Sequence, residues 1–287
     1  MKTRPIIPWL YLFAASVLIL FFLVYPTINT LFISFKDSKS IEFIGFKNYL
    51  YVFTNDATKL AIRNNLLWMI VFPVITVSLG LLLAVLVDKV RYEKILKSVI
   101  FLPMAISFVG AGVVWRFMYA FRPVEVGQIG FLNWIVVTAG GKPLDWLSRG
   151  PWINNIALVI IGVWIWTGFC MTVFSAAYKG LSSEILEAGK IDGANEWHLF
   201  WKIVVPMLMP TISTVTVTML VFSLKVFDII YITTNGLFDT EVLANRMYKE
   251  LFLYWNLGRA SAIATILLVA SIAIMSISVF HRSSQVT

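Results

Sequence analysis

Six stretches of the chain stay apolar for roughly twenty residues or more, and short polar segments separate them. They cover about 9–32, 65–87, 98–119, 154–177, 207–232 and 259–280. A helix rises about 1.5 Å per residue and a bilayer's hydrocarbon core is about 30 Å thick, so about 20 apolar residues suffice to cross it. Each run therefore predicts one transmembrane helix, and the fold class is all-α and polytopic with six spans in a single membrane domain over 9–287. The run from Trp9 to Phe32 is longer than the apolar core of a signal peptide and predicts a retained first span. Pro73 and Gly80 fall within the second run, where membrane helices tolerate them. The third opens with Phe101-Leu-Pro-Met104 and closes on Trp115-Arg-Phe-Met-Tyr119, an interfacial aromatic belt with Arg116 placed to snorkel.

The intervening segments set the orientation. An even number of spans puts both termini on one side. Lys2 and Arg4 precede the first span, and the tight loop from Asp88 to Lys97 carries Lys89, Arg91, Lys94 and Lys97. With the termini, that loop and the segment 181–206 inside, about ten Lys and Arg fall on about 52 inner residues, against about ten on about 90 outer ones. This bias predicts cytoplasmic termini. Ser34 to Arg63, with Phe43 to Leu50 in its middle, reads as an outer loop with a small helix. Phe121 to Trp152 is too broken to span, and its nine-residue piece from Phe131 to Ala139 fits an interfacial helix. Thr233 to Leu257 reads as a further outer loop.

Composition agrees with a bilayer protein. Across 287 residues, 59% are hydrophobic and 13% charged, with a mean hydropathy of +0.84. The net charge of +8 is scattered with no long basic run, which argues against nucleic-acid binding. Cys170 is alone, and His198 and His281 are too few and too far apart for a metal site. No G-x-x-x-x-G-K-[ST] stretch and no catalytic constellation occurs, so the chain reads as a non-enzyme that is worked by another polypeptide.

The polar segment from Leu181 to Pro210 differs from the others. Ser182 and Ser183 can cap a short helix whose first turn carries Glu184 and Glu187. Asp192-Gly193 is a turn pair, and Asp192 can cap a second helix from Ala194 to about Val205, closed by Pro206. Trp197, Phe200, Trp201 and Val204 would share its apolar face. The product is a two-helix knob with Glu187 exposed.

At these residues the chain resembles the permease subunits of binding-protein-dependent ATP-binding-cassette importers, whose cytoplasmic coupling loop carries an E-A-A-x-x-x-G pattern. Glu187, Ala188, Gly189, Asp192, Gly193 and Ala194 carry the match, and Ile191, Phe200, Ile203 and Pro206 extend it to the sugar-permease form. Gly189 stands where the family prefers Ala. The likeness extends along the chain through Pro8-Trp-Leu-Tyr-Leu-Phe13, Val24-Tyr-Pro26 with Ser34-Phe35, Phe43 to Tyr49, Phe101-Leu-Pro103 and Val113-Val-Trp-Arg116. Lys225 to Gly236, Thr240 to Tyr248 and Leu257 to Ala262 look closest to the alpha-glucoside branch, which includes importers of trehalose, sucrose and glucosylglycerol. A usual G-G-P after the fifth span is replaced by Asn235-Gly236-Leu237.

The resemblance implies a maltose-transporter-type permease fold in the inner membrane. It also implies a second homologous permease, a dimer of cytoplasmic ATPase subunits that hold ATP and Mg, and an extracytoplasmic solute-binding protein that delivers the sugar. By alignment with sugar-contacting positions, the implied substrate residues are Ile165, Trp166, Phe169, Met219, Phe222, Ser223 and Val226. At helical spacing, Met219, Phe222, Ser223 and Val226 would share a face, and Lys225 and Asp228 would pair on one. The rival readings are a secondary transporter that works alone, which the scarcity of carboxylates in the spans disfavours, and a permease of the same superfamily for a non-sugar solute.

Overall fold

A computed structural model describes residues 6–123 and 125–286, with Lys2 and Arg4 of the expected N-terminal segment outside that range. The chain is helical, and among the described residues the one β-contact is an isolated bridge between Lys36 and Phe43. Among the described residues five helical stretches are long and apolar enough to cross a bilayer: Ala15–Ile33, Asp56–Asp88, Ile153–Lys179, Glu196–Leu224 and Leu257–Ser276. A sixth candidate is a helix pair bent by 100°. By contact density the chain divides into two units, Met1–Lys59 with Arg246–Val269, and Leu60–Asn245 with Ala270–Thr287.

In the first unit, α1 (Ile6–Ile19) passes through a single wide π-turn, Leu20–Val24, into α2 (Tyr25–Ile33). The cause is Pro26. A proline has no N–H for the carbonyl four residues back and its ring collides with that carbonyl. Widening the helix by one residue relieves both problems, and the Tyr25 amide donates instead to the Leu20 carbonyl five residues back. After α2 the chain turns under α3 (Lys47–Thr54). Buried Asn48 holds that turn by donating to the Ser34 and Lys36 carbonyls at 2.9 and 2.7 Å. Gly258, near the start of α14 (Leu257–Val286), lies so close that an added Cβ would stand 2.1 Å from the Lys36 carbonyl oxygen. Tyr51 donates to fully buried Glu250, which also accepts from Arg246 at 2.6 Å, and the Arg259 guanidinium lies 3.8 Å from the Tyr51 ring centroid. Burial is the main force raising the Tyr51 phenol's pKa.

In the second unit, α8 (Ile153–Lys179) is the central helix. Glycines let its neighbours approach. A Cβ on Gly80 of α4 (Asp56–Asp88) would meet Cys170 Cβ at 2.4 Å, and one on Gly162 would meet the Phe72 and Trp68 rings at 3.1 Å. α5 (Glu93–Phe101) packs on the same helix, where a Cβ on Gly168 would stand 2.4 Å from the Ile100 carbonyl oxygen.

The expected third span, 98–119, is not continuous. α5 tightens into a 3₁₀ turn at Leu102–Ala105 around Pro103, Ile106 is extended, and Ser107 caps a new helix, α6 (Phe108–Met118), by accepting from the Gly110 amide at 3.1 Å. With 11 residues, α6 is about 16 Å long and cannot cross alone. α7 (Phe131–Thr138) is the short helix expected after it, anchored by buried Asn133 through the Ala120 and Leu144 carbonyls.

The fifth span also departs from 207–232. α11 (Val205–Leu224) ends short of 232, and α12 (Asp228–Thr233) starts afresh. Asn65, buried on α4, takes the released Ser223 and Leu224 carbonyls at 3.2 and 3.1 Å and accepts from the Leu243 amide at 2.8 Å. Val226 therefore lies beyond the helix that carries Met219, Phe222 and Ser223. Lys225 and Asp228, separated by the break, do not share a helical face. The segment 233–257 contains α13 (Leu243–Phe252), a helix its reading as loop did not include.

Replacing a mid-helix glycine by alanine ordinarily gains about 1 kcal/mol. At Gly168 the new methyl meets backbone, which cannot rotate away. Gly168→Ala is expected to destabilise by about 1–3 kcal/mol, read as a lower thermal unfolding midpoint in lipid nanodiscs.

Candidate functional site

The polar knob begins at Gly180, where α8 ends. α9 (Ser183–Ile191) carries Glu184 in its first turn, and Ser182 occupies the N-cap position without a side-chain cap bond. Its far end is closed by a Schellman turn. The Ala194 amide donates to the Gly189 carbonyl at 3.0 Å and the Gly193 amide to the Lys190 carbonyl at 3.1 Å, which requires Gly193 at φ +83°. Asp192 is thus the C-cap of α9. The cap of α10 (Glu196–Leu199) is Asn195, not Asp192 as the sequence indicated, and its side chain accepts from the His198 amide at 2.8 Å. The physical reason is that Gly193 turns the chain left-handed and leaves two further residues before the helix can start.

Pro206 does not close the second helix. The chain runs from Glu196 to Leu224 through a π-turn at Phe200–Val204 into α11 (Val205–Leu224). The Val205 amide donates to the Phe200 carbonyl, the same accommodation of proline as at Pro26. The knob is therefore continuous with the fifth span.

Gly189 packs α9 against this helix, for a Cβ there would lie 2.6 Å from Ile203 Cδ1 and 3.1 Å from Leu199 Cδ1. A cleft of about 320 Å³ opens beside it, lined by Asp192, Gly193, Ala194, His198 and Lys202. Glu187 and Ala188 are exposed, as are Asp192 and Gly193; Gly189 is buried and Ala194 half-buried. Ile191 is 85% exposed and Trp197 68%, a large apolar surface for a solvated elbow. Of the four residues expected to share an apolar face, only Val204 is buried. Trp197 and Trp201, with ring centroids 5.6 Å apart, edge an apolar groove of about 760 Å³ walled by Val77, Leu81 and Val85 of α4 and Met209 of α11.

The seven implied substrate residues separate into two sets. Ile165, Met219, Ser223 and Val226 are buried in the core of the second unit, and the Ser223 hydroxyl donates to the Leu220 carbonyl at 2.7 Å. Trp166, Phe169 and Phe222 are half-buried and in contact, with the Trp166 ring centroid 4.8 Å from Phe222 and 5.6 Å from Phe169. Phe108, at the start of α6, closes the cluster 5.8 Å from Phe222 and 6.3 Å from Trp166. Sequence reasoning missed Phe108, because the bend before α6 brings it there. The Trp166 indole N–H is buried without an acceptor. The arrangement offers aromatic faces and one unspent donor.

At the other end of α8 the replaced Gly-Gly-Pro segment forms a turn with Asn235 at φ +50° and Gly236 at φ +74°, followed by Phe238 and Asp239, also at positive φ. Side chains hold this strained course. Asn64 donates to the Asp239 and Glu241 carbonyls, both at 2.8 Å, and Asn155 donates to the Asp239 carbonyl at 3.2 Å.

With this geometry in place, residues 76–284 match the family described as binding-protein-dependent transport system inner membrane component. The chain is 49% identical over 276 residues to the osmoprotective compounds uptake permease protein GgtC of Synechocystis sp., covering 96% of this chain and 99% of the relative. It is 41% identical over 269 residues to the alpha-glucoside transport system permease protein AglF of Rhizobium meliloti, covering 93% and 80%. Its fold is similar to that of a chain in the crystal structure of a bacterial ABC transporter involved in the import of the acidic polysaccharide alginate, with a TM-score of 0.82, 23% identity and coverage of 97% and 95%.

Losing an N-cap amide acceptor typically costs about 1 kcal/mol. Asn195→Ala is therefore expected to fray α10 first, seen as faster amide hydrogen exchange at Trp197 and His198 with little change in α11.

Proposed function

The chain belongs to the inner membrane components of binding-protein-dependent transport systems, and on that premise we propose that it is the permease subunit of an ATP-driven importer for a sugar or sugar-like osmolyte. The observation that carries this reading is the exposed knob α9–Gly193–α10, whose second helix runs without a break into a membrane span. Glu187 and its neighbours on α9 dock in a groove of a cytoplasmic ATPase subunit, one of a pair that binds ATP and Mg. When the pair closes on nucleotide, α9 and α10 are displaced as a unit, since Gly189 is packed between them, and α11 follows.

The positive residues of the tight 89–97 loop favour a cytoplasmic knob and cytoplasmic termini. A second, homologous permease completes the pathway, and an extracytoplasmic binding protein delivers the solute to the outer segments. The names of the two relatives, an osmoprotective-compounds uptake permease and an alpha-glucoside permease, support a sugar or sugar-like osmolyte as the solute. Trp166, Phe169 and Phe222 suit such a ligand. Aromatic faces take the apolar faces of a sugar ring, and the Trp166 N–H gives a hydroxyl its partner. Ile165, Met219 and Val226 belong to the core against which those rings pack, and Ser223 is buried.

Two measurements test the reading in the assembled transporter. Glu187→Lys combined with Gly193→Asp reverses the docking charge and burdens the φ +83° turn. It is expected to lower ATPase copurification and solute-stimulated hydrolysis by about tenfold or more, the effect of roughly 1.4 kcal/mol of docking energy. Unchanged uptake with normal assembly overturns the coupling role. Trp166→Ala is expected to raise the solute concentration for half-maximal uptake by about tenfold, with ATPase association intact. Unaltered transport kinetics remove Trp166 from the pathway.

A further inference from the structure

The C-terminal end of α4 carries two adjacent and opposite charges, Asp88 and Lys89, and they engage different parts of the second unit. Asp88 lies 3.3 Å from the Lys179 ammonium at the end of α8 and 3.8 Å from that of Lys97 on α5. Both ammonium groups also contact Glu93 at the start of α5, and Lys97 donates to Ser175 of α8. Lys97, Asp88 and Glu93 are only 19–24% exposed, so salt screens this group weakly. It ties the ends of three membrane helices into one block, and Lys179 directly precedes Gly180, where the knob begins.

Lys89 turns the other way. Its ammonium pairs with Glu196, the first residue of α10, whose second carboxylate oxygen lies 3.7 Å from Lys190 near the end of α9. Glu196 thus joins both helices of the knob to the end of α4. Lys89 and Glu196 are 50% and 63% exposed, which makes them poor sources of fold stability. What an exposed pair in this position can do is fix direction.

We propose that Asp88-Lys89 is a positioning node for transport: through Glu196 it makes the knob move with the helix ends that Asp88 holds, as a second connection beside the covalent run from α10 into α11. The inference rests on the reading of the knob as the coupling element. It adds that displacement reaches α4, α5 and α8 through these charges, so that breaking the Lys89 arm separates ATP hydrolysis from solute movement. A merely structural role would change assembly and leave that ratio alone.

The test uses the complete transporter in proteoliposomes and measures solute moved per ATP hydrolysed. The variants are Lys89→Gln, which only deletes the charge at a half-exposed site, Lys89→Glu, and the triple change Lys89→Glu, Glu196→Lys, Lys190→Glu, which reverses every charge of the arm. The expected result is a fall of about fivefold or more in both single variants, the lower end of measured couplings between sites, with most of it recovered in the triple variant. Single variants with the original ratio overturn the node, as does a triple variant no better than Lys89→Glu. If the unaltered transporter shows no solute-stimulated hydrolysis, the reading of the knob fails instead, and the two failures are told apart by that control.

Discussion

In a bilayer no water is available to take up a free backbone N–H or C=O, and this requirement shapes the breaks in the chain. Pro26 and Pro206 each remove a donor inside an apolar helix. In both cases the helix widens by one residue, and the amide just before the proline bonds five residues back. Where α11 stops, its last carbonyls are taken by Asn65 from α4. At the 100° bend the freed amide of Gly110 goes to Ser107. At each of these breaks a side chain or a wide turn receives what the irregular backbone releases.

The same requirement explains what was legible in the sequence. Span existence is a matter of length and hydropathy, and the six apolar runs correspond to five long helices and one bent pair. Breaks within spans depend on partners far away in sequence. Pro103 and Pro206 look alike in an apolar run, yet one belongs to a sharp bend and the other to a continuous helix. The difference is that Ile106 turns extended and Ser107 is there to cap a new start, whereas Pro206 has a π-turn behind it. Nothing local to Leu224 marks the end of α11; the cause is Asn65, about 160 residues earlier.

Site residues follow a similar division. The Asp192-Gly193 pair identified a turn, and its type followed from Gly193, but the capping residue was displaced to Asn195 by the geometry of that turn. An apolar face at helical spacing was read around Trp197 and Trp201, yet spacing cannot say whether such a face is covered. In this chain it edges an open groove. The implied substrate positions were on adjacent elements as expected, but burial sorted them into three rings with accessible surface and four residues behind them.

α4 connects these features. From Asn65 to Asp88 it runs through 24 residues, about 35 Å, with no break despite Pro73. At one end, Asn64 and Asn65 grip the strained turn after α12 and the end of α11. At the other, Asp88 and Lys89 grip the helix ends and the knob. Side chains along its middle are packed against α8 through Gly80 and Gly162, where a single methyl group would collide or crowd. A helix pinned at both ends and close-packed between them has little freedom to bend, because interiors at this density transmit displacement and do not absorb it. On the proposed coupling role a force on the knob has two routes, and they end differently: the one along α10 into α11 stops at the break after Leu224, whereas the one across Glu196 into α4 continues to the turn that Asn64 holds.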